Sequence, residues 1–493
     1  KRGPLRIMSG GHQQEGMSSG DGAFVIRLSE LGNIEYNNEK TEAWIPSGMK
    51  LGVVYKELEQ IGKTIPGGGC MNVNVGGLTQ GGGWGMNARK YGLTCDNILA
   101  AEMVLANGDI IVASPENHPD LFWAIRGGGG GNFGIVTRFL FKLKEISSEI
   151  CVFRFYWDHK RTENAIASYL KAQTAFPDEL TSFLRVTAVP HNKDNYPGYA
   201  SGMYHGRLTD LEELLKPFKN DANPNKLEYF VQSLDEYTDE ELKAVRGFKG
   251  IDGLTPDDEP IDITEGVRGS EEPIDIAEMP LVLDLFNYDV FIDSLYEAAE
   301  SNGNRKCLVP PPRVNCDAPH PHKVSSAFSR NLQEETSAEY YSRLAKAVSE
   351  YFKNSVEGEY KKYLSSVRSY MTIHSMGGAM KNEPVGGSAF AFRDTEFLLQ
   401  FQSWWNYPNE EKQESCQEYM KKCQQDYIDW VTKLRGLLQK EELVEGAFIN
   451  FVDKDIPLKE YYARNFERLQ KIKGKYDPNN VFKFEMGIPG RTS

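Results

Sequence analysis

The run Pro66-Gly-Gly-Gly-Cys70-Met-Asn-Val-Asn-Val-Gly-Gly-Leu-Thr-Gln-Gly-Gly-Gly-Trp84-Gly85 holds nine glycines around one cysteine, and Arg89-Lys-Tyr-Gly-Leu93 follows it. Glycine lets a backbone approach a flat or charged ligand where a Cβ would collide. A core strand does not accept so many, because each weakens it. The run therefore reads as a loop laid against something large, with the thiol of Cys70 aimed at it.

Two further glycine loops flank it. Ser9-Gly10-Gly11-His12 follows a short strand that begins at Leu5, and Gly127–Gly134 leads into a strand over Ile135–Leu143. Successive glycine turns present N–H groups that suit pyrophosphate and ring carbonyl oxygens. Gly129-x-Gly131-x-x-Gly134 fits the dinucleotide spacing, but that fingerprint needs a strand before it and a helix after. Here the order is reversed, so a Rossmann site is rejected. No Walker A sequence occurs.

Around these loops the pattern is mixed. Phe24–Leu28 and Glu42–Pro46 read as strands, and Leu51–Ile61 has helical spacing. Ile98–Leu105 and Asp109–Ala113 form a hairpin turning at Asn107-Gly108. Asn117 or Asp120 is expected to cap a helix over Leu121–Arg126 that Gly127 ends. Beyond about residue 150 glycine thins out. Long helices are expected over Ser337–Lys353 and Glu411–Leu438, with strands over Ser366–His374 and Glu396–Trp404. Alternation puts Tyr370, Thr372 and His374 on one face of the first strand. In the second it puts Glu396, Gln400 and Gln402 opposite Phe397, Leu399 and Phe401. Residues 253–275 read as an exposed acidic loop. An amphipathic helix over Tyr461–Lys475 stops before Asp477-Pro478.

The bulk numbers bound the partners. At 493 residues, two or three domains are expected. A net charge of −14 argues against nucleic acid and anionic membrane, and no apolar run approaches a membrane span. Seven scattered cysteines make no disulfide framework. His320-Pro-His322 with Cys307 and Cys316 fits no familiar zinc spacing, so no metal is expected. No signal peptide is visible and no Asn-x-Ser/Thr sequon occurs, which leans the compartment towards the cytoplasm.

The motifs Ser9-Gly-Gly-His12, Gly69-Cys70-x-x-Val73-x-Val75-Gly-Gly, Gly81-Gly-Gly-x-Gly85, Arg89-Lys-Tyr-Gly-Leu93-x-x-Asp96-Asn97 and Leu121-Phe-Trp-Ala-Ile-Arg-Gly127 follow one another in order. So do Asn450-Phe-x-Asp453, Tyr461-Tyr462 and Tyr476-Asp-Pro-Asn-Asn-Val-Phe482 in the tail. Together they resemble the berberine-bridge-enzyme and oligosaccharide-oxidase group of the vanillyl-alcohol-oxidase flavoproteins. The likeness covers about residues 5–145 and 446–489, and is weak between them. It implies an α+β fold with a two-part FAD-binding domain, residues 1–145 and 441–493. A substrate domain over 146–440 would carry an antiparallel sheet backed by helices. It also implies that the first subdomain is trimmed here.

The same resemblance implies FAD attached at two points, His12 through the flavin 8α-methyl and Cys70 through ring carbon 6. Ser9, Gly10, Gly11, Gln13, Val73, Gly76, Gly77, Gly81, Gly83, Gly131, Gly134, Val136 and Asn450 would line the cofactor. Electron-withdrawing links should raise the flavin potential. Val73 matches a small residue that leaves oxygen room beside the ring, which favours an oxidase, although Asn74 stands where a glycine is usual. Phe451 replaces the tyrosine that often serves as base, and Gln14 replaces a sugar-oxidase aromatic. The candidate catalytic residues are therefore His374, Tyr370 and Gln400. A histidine near neutrality is a credible base, and a plain satisfied sheet histidine is the competing reading.

The expected activity is hydride removal from a bulky natural product, with a small-molecule substrate and O2 as partners and the protein a monomer or homodimer. C1 oxidation of an oligosaccharide and a catalytically lapsed flavin carrier are the alternatives.

Overall fold

The structure is a computed structural model that describes residues 3–188, 197–233, 321–330, 336–358, 367–405 and 414–491. The acidic segment 253–275, and Cys307, Cys316 and His320, lie outside the described residues. The chain divides into two compact units. The first comprises Lys1–Ile146, Met376–Glu396 and Gly446–Ser493, the second Ser147–Ser375 and Phe397–Glu445.

The first unit is built on a five-stranded antiparallel sheet in the order Glu35–Tyr36, Glu42–Pro46, Ile135–Lys142, Ile98–Val104, Ile110–Ala113. The Asn107-Gly108 hairpin closes as its sequence requires, with the Leu105 amide donating to Asp109 O at 2.9 Å. A separate parallel pair joins Leu5–Met8 to Phe24–Arg27. The helix Leu51–Glu59 buries Leu51, Val54, Tyr55 and Leu58 along one face. Each such side chain contributes roughly 1.5–3 kcal/mol. The Tyr55 phenol donates to Gly68 O at 2.9 Å, which fixes the glycine run to this helix.

The second unit is an eight-stranded antiparallel sheet. Its order is Lys226–Ser233, Glu149–Trp157, Gly198–Tyr204, Leu180–Thr187, Val367–Ser375, Phe397–Trp405, His322–Ser329, Val444–Glu445. The helices Thr162–Ala175, Leu208–Ala222, Ser337–Glu357 and Glu414–Lys440 supply the opposing apolar residues. Phe153, Phe155 and Trp157 enter that core from one strand, Met371 and Ile373 from another, and Leu399 and Phe401 from a third. Period-two alternation therefore leaves the even-numbered residues of these strands on the opposite face. Thr336 caps Ser337–Glu357 by accepting from the Glu339 amide, and the Glu339 carboxylate answers the Thr336 amide.

Three local expectations change. The helix before Gly127 spans Pro119–Ala124, and neither Asn117 nor Asp120 is its cap. His118 takes that position in the left-handed region (φ 57°), and Pro119 opens the helix. The tail helix is broken into Leu458–Tyr462 and Phe466–Tyr476, because Ala463 sits at φ 42°. Met376–Glu396, taken with the middle segment on sequence, packs with the first unit.

Candidate functional site

In the first unit the glycine loops converge on a few polar side chains. Ser9 Oγ donates to Ser47 O at 2.6 Å, and Asn74 Nδ2 donates to Ser9 O at 3.1 Å and to Gly48 O. These bonds bring the loop before His12 against the loop after Cys70. Gln80 adds the third. Its carbonyl accepts from the Gly127 and Gly129 amides at 2.9 and 3.0 Å, and its Nε2 donates to Gly76 O at 3.0 Å. The tail closes the arrangement from behind. Asn450 Nδ2 donates to Leu78 O at 3.0 Å, and the Tyr462 phenol to Gly128 O at 3.1 Å.

The surfaces left over suit a large polar ligand. A Cβ built on Gly69 or Gly77 would meet nothing within 4 Å, and one on Gly11 only the Met8 side chain, at 3.8 Å. Gln13 Nε2, Ser47 Oγ and Asn74 Oδ1 are buried and have no hydrogen-bond partner among the described residues. Leaving a buried polar atom unanswered costs about 1–3 kcal/mol. Three on neighbouring loops, beside glycines that open onto space, fit a flat, oxygen- and nitrogen-rich group such as FAD.

Other glycines have packing reasons. Gly83 (φ 82°) lies against the Thr94 side chain, Gly81 against Asn450, and a Cβ on Gly134 would stand 2.8 Å from Val104 O. Gly131 (φ 74°) turns the third loop. Val136 is buried opposite Met103 in the sheet. Val73 is half-buried, with its amide on Cys70 O at 3.2 Å. His12 and Cys70 are both half-buried. Cys70 is disulfide-bonded.

In the second unit, His374, Tyr370 and Gln400 share the face that the helices leave uncovered. His374 Nε2 lies 3.3 Å from Gln400 Oε1, so Nε2 carries the hydrogen and the ring lone pair falls on Nδ1. Burial, only partly offset by the Gln400 bond and reinforced by the Arg185 charge, lowers the imidazole pKa to about 3. The near-neutral histidine expected from sequence is corrected here, since a fully desolvated ring resists protonation. The Tyr370 phenol donates to Gln402 Oε1 at 2.8 Å, and the Trp404 indole donates to the same oxygen at 2.8 Å.

Sequence reading missed Ser47, Asn74 and Gln80, which fasten the loops. It also missed Arg185, whose guanidinium lies 4.7 Å from the Tyr370 ring centre and whose Nε donates to Thr372 Oγ1 at 3.1 Å. The helical spacing of Leu51–Ile61 gave no hint of Ser47. Asn74 stood out only as a departure from glycine.

An FAD-binding-domain family matches residues 1–114, and a family described as berberine and berberine-like matches residues 447–489. The uncharacterized FAD-linked oxidoreductase YgaK of Bacillus subtilis (strain 168) is 29% identical over 99% of this chain and 86% of its own length. Berberine bridge enzyme-like 14 of Arabidopsis thaliana is 25% identical over 99% of this chain and 80% of its own. Among solved structures, Physcomitrella patens BBE-like 1 superposes with a TM-score of 0.71 at 23% identity, covering 100% of this chain and 87% of that one. The fold and the glycine cradle thus define an FAD-binding flavoprotein. More narrowly, the chain is an FAD-linked oxidoreductase that is similar to berberine bridge enzyme-like proteins.

Proposed function

We propose that the chain is an oxidase that removes hydride from an alcohol, amine or activated C–H carbon of a bulky natural product and passes the electrons to O2, giving hydrogen peroxide. The observation that carries this is the cradle with its three unanswered polar atoms, Gln13 Nε2, Ser47 Oγ and Asn74 Oδ1. Ser9, Gly10, Gly11 and Gln13 would hold FAD from the first loop, and Val73, Gly76, Gly77, Gly81 and Gly83 from the second. Gly131, Gly134 and Val136 would do so from the third, with Asn450 behind. His12 and Cys70 are the proposed covalent attachment points. Bound FAD would supply the hydride acceptor.

The chain's own part is to bind the substrate and take its proton. Gln400 fixes the His374 ring, which would take the proton of a substrate O–H or N–H. A ring with so little proton affinity does not deprotonate the substrate in advance. It takes the proton as hydride leaves, when the donor is most acidic. Tyr370, held by Gln402, positions the substrate beside it. The disulfide at Cys70 favours a second reading, attachment through His12 alone, with Cys70 joining the ring only after reduction.

Oxygen uptake and peroxide release on a panel of phenolic alcohols, cyclic amines and cello-oligosaccharides test the oxidase reading. Peroxide is expected with members of the first two groups and not with the sugars. Peroxide from cello-oligosaccharides would move the assignment to lactone formation. A reduced flavin that stays reduced in air would remove O2 as the acceptor.

A further inference from the structure

We infer that Gln402 is a specificity residue whose carboxamide N–H donates to a carbonyl oxygen of an aromatic substrate, on the uncovered face of the eight-stranded sheet. This deepens the proposed function and rests on that reading for the chemistry, not for the binding.

Gln402 lies on the strand Phe397–Trp405 and is 5% exposed. Its Oε1 accepts from the Tyr370 phenol and from the Trp404 indole, each at 2.8 Å. An indole N–H can only donate, so the atom it meets is the amide oxygen and not the amide nitrogen. Two donors also occupy both lone pairs of that oxygen. The orientation of the carboxamide is thereby fixed, and Nε2 holds out two N–H groups on its other side.

The neighbouring side chains on this face do not answer them. Across the sheet Gln402 pairs with Tyr370 on one side and with Val324 on the other. The Tyr370 hydroxyl is committed to Oε1, and Val324 has no polar side-chain atom. Along the strand, Gln400 turns its Oε1 to His374 at 3.3 Å, and the Trp404 indole has no acceptor. Nε2 therefore has no hydrogen-bond partner among the described residues.

A ligand oxygen without a hydrogen of its own is the complement. A hydroxyl could accept as well, but its hydrogen would meet an Oε1 that already holds two donors. Gln400 and Gln402 are two residues apart on one strand, which sets the carbonyl about 7 Å along the sheet from the Gln400–His374 pair. An aromatic ring with the carbonyl at one end and the reacting carbon at the other spans that distance.

The test compares 2-acetylnaphthalene with 2-isopropenylnaphthalene, which replaces the carbonyl oxygen by CH2 at nearly constant shape. Neither carries an alcohol or amine, so ligand-observed NMR titration of the purified full-length holoprotein reads binding apart from turnover. The ketone should bind about tenfold tighter, as one hydrogen bond to an otherwise unanswered donor provides. In Gln402→Met the two should bind within about twofold of each other. Equal affinity in the wild-type protein, no binding of the ketone, or a preference that survives in Gln402→Met overturns the inference. The wild-type comparison needs no variant to fold. A ketone preference that depends on Gln402, with no peroxide from any alcohol or amine, would support the inference and count against the oxidase reading alone.

Discussion

Lys473 is wholly buried, and its ammonium donates to Asn132 O at 2.7 Å across 341 residues of sequence. The same nitrogen meets Asp477 Oδ2 at 2.6 Å and Phe482 O at 2.7 Å. Asn132 in turn accepts the Ile488 amide on its Oδ1 at 2.8 Å. One buried cation thus pins the tail to the third glycine loop. Lys473→Met strands the Asp477 carboxylate and should cost about 3–5 kcal/mol in urea unfolding. Lys473→Met with Asp477→Leu should recover much of that loss.

A similar dependence holds at Arg393. It meets Asp96 at 2.6 Å with both side chains buried, and it also donates to Met380 O, Asn382 O and Ser388 Oγ. Arg393→Met should destabilise by about 3–5 kcal/mol, because the buried Asp96 then loses its paired guanidinium. Arg393→Lys should fall in between, since an ammonium cannot reach all four acceptors. Thermal melts of the three proteins check this order.

The two clamps show what local sequence can carry. The glycine loops, the Asn107-Gly108 hairpin and the alternation of Tyr370, Thr372 and His374 were legible because each is written within a few neighbouring residues. The return of Met376–Glu396 to the first unit was not, because it depends on Arg393 meeting Asp96 from 297 residues away. Nor did local pattern show that Ala463 would leave the helix, since alanine favours one. Arg185 escaped for the same reason as Arg393, its rings being assembled from three strands. The histidine at 374 was legible as a candidate, but its low proton affinity follows from burial that no spacing reports.

That burial has a pH signature. The folded His374 pKa of about 3 lies below the unfolded value of 6.5. Between the two, the unfolded chain binds a proton that the native ring refuses, so stability is full above about pH 6.5 and is lost as pH falls towards 3. The loss should be on the order of 4 kcal/mol from this group. His374→Asn should flatten that part of the profile in denaturant unfolding between pH 4 and 7. An unchanged slope in the variant would show that His374 is solvated.

Gly81→Ala tests the seating of the tail on the glycine run. Its Cβ would collide with the Asn450 side chain, breaking the bond to Leu78 O. The urea midpoint, followed by flavin fluorescence, should fall relative to wild type. Gly81→Ala with Asn450→Ala should regain part of it by making room.

The link between the cradle and its cofactor is tested most directly by acid precipitation of the purified protein, followed by peptide mass analysis. The pellet should stay yellow, and the peptide bearing His12 should carry the flavin mass, cross-linked to the peptide bearing Cys70 wherever that thiol is reduced. A colourless pellet with free FAD in the supernatant, and unmodified His12 and Cys70 peptides, would contradict covalent attachment.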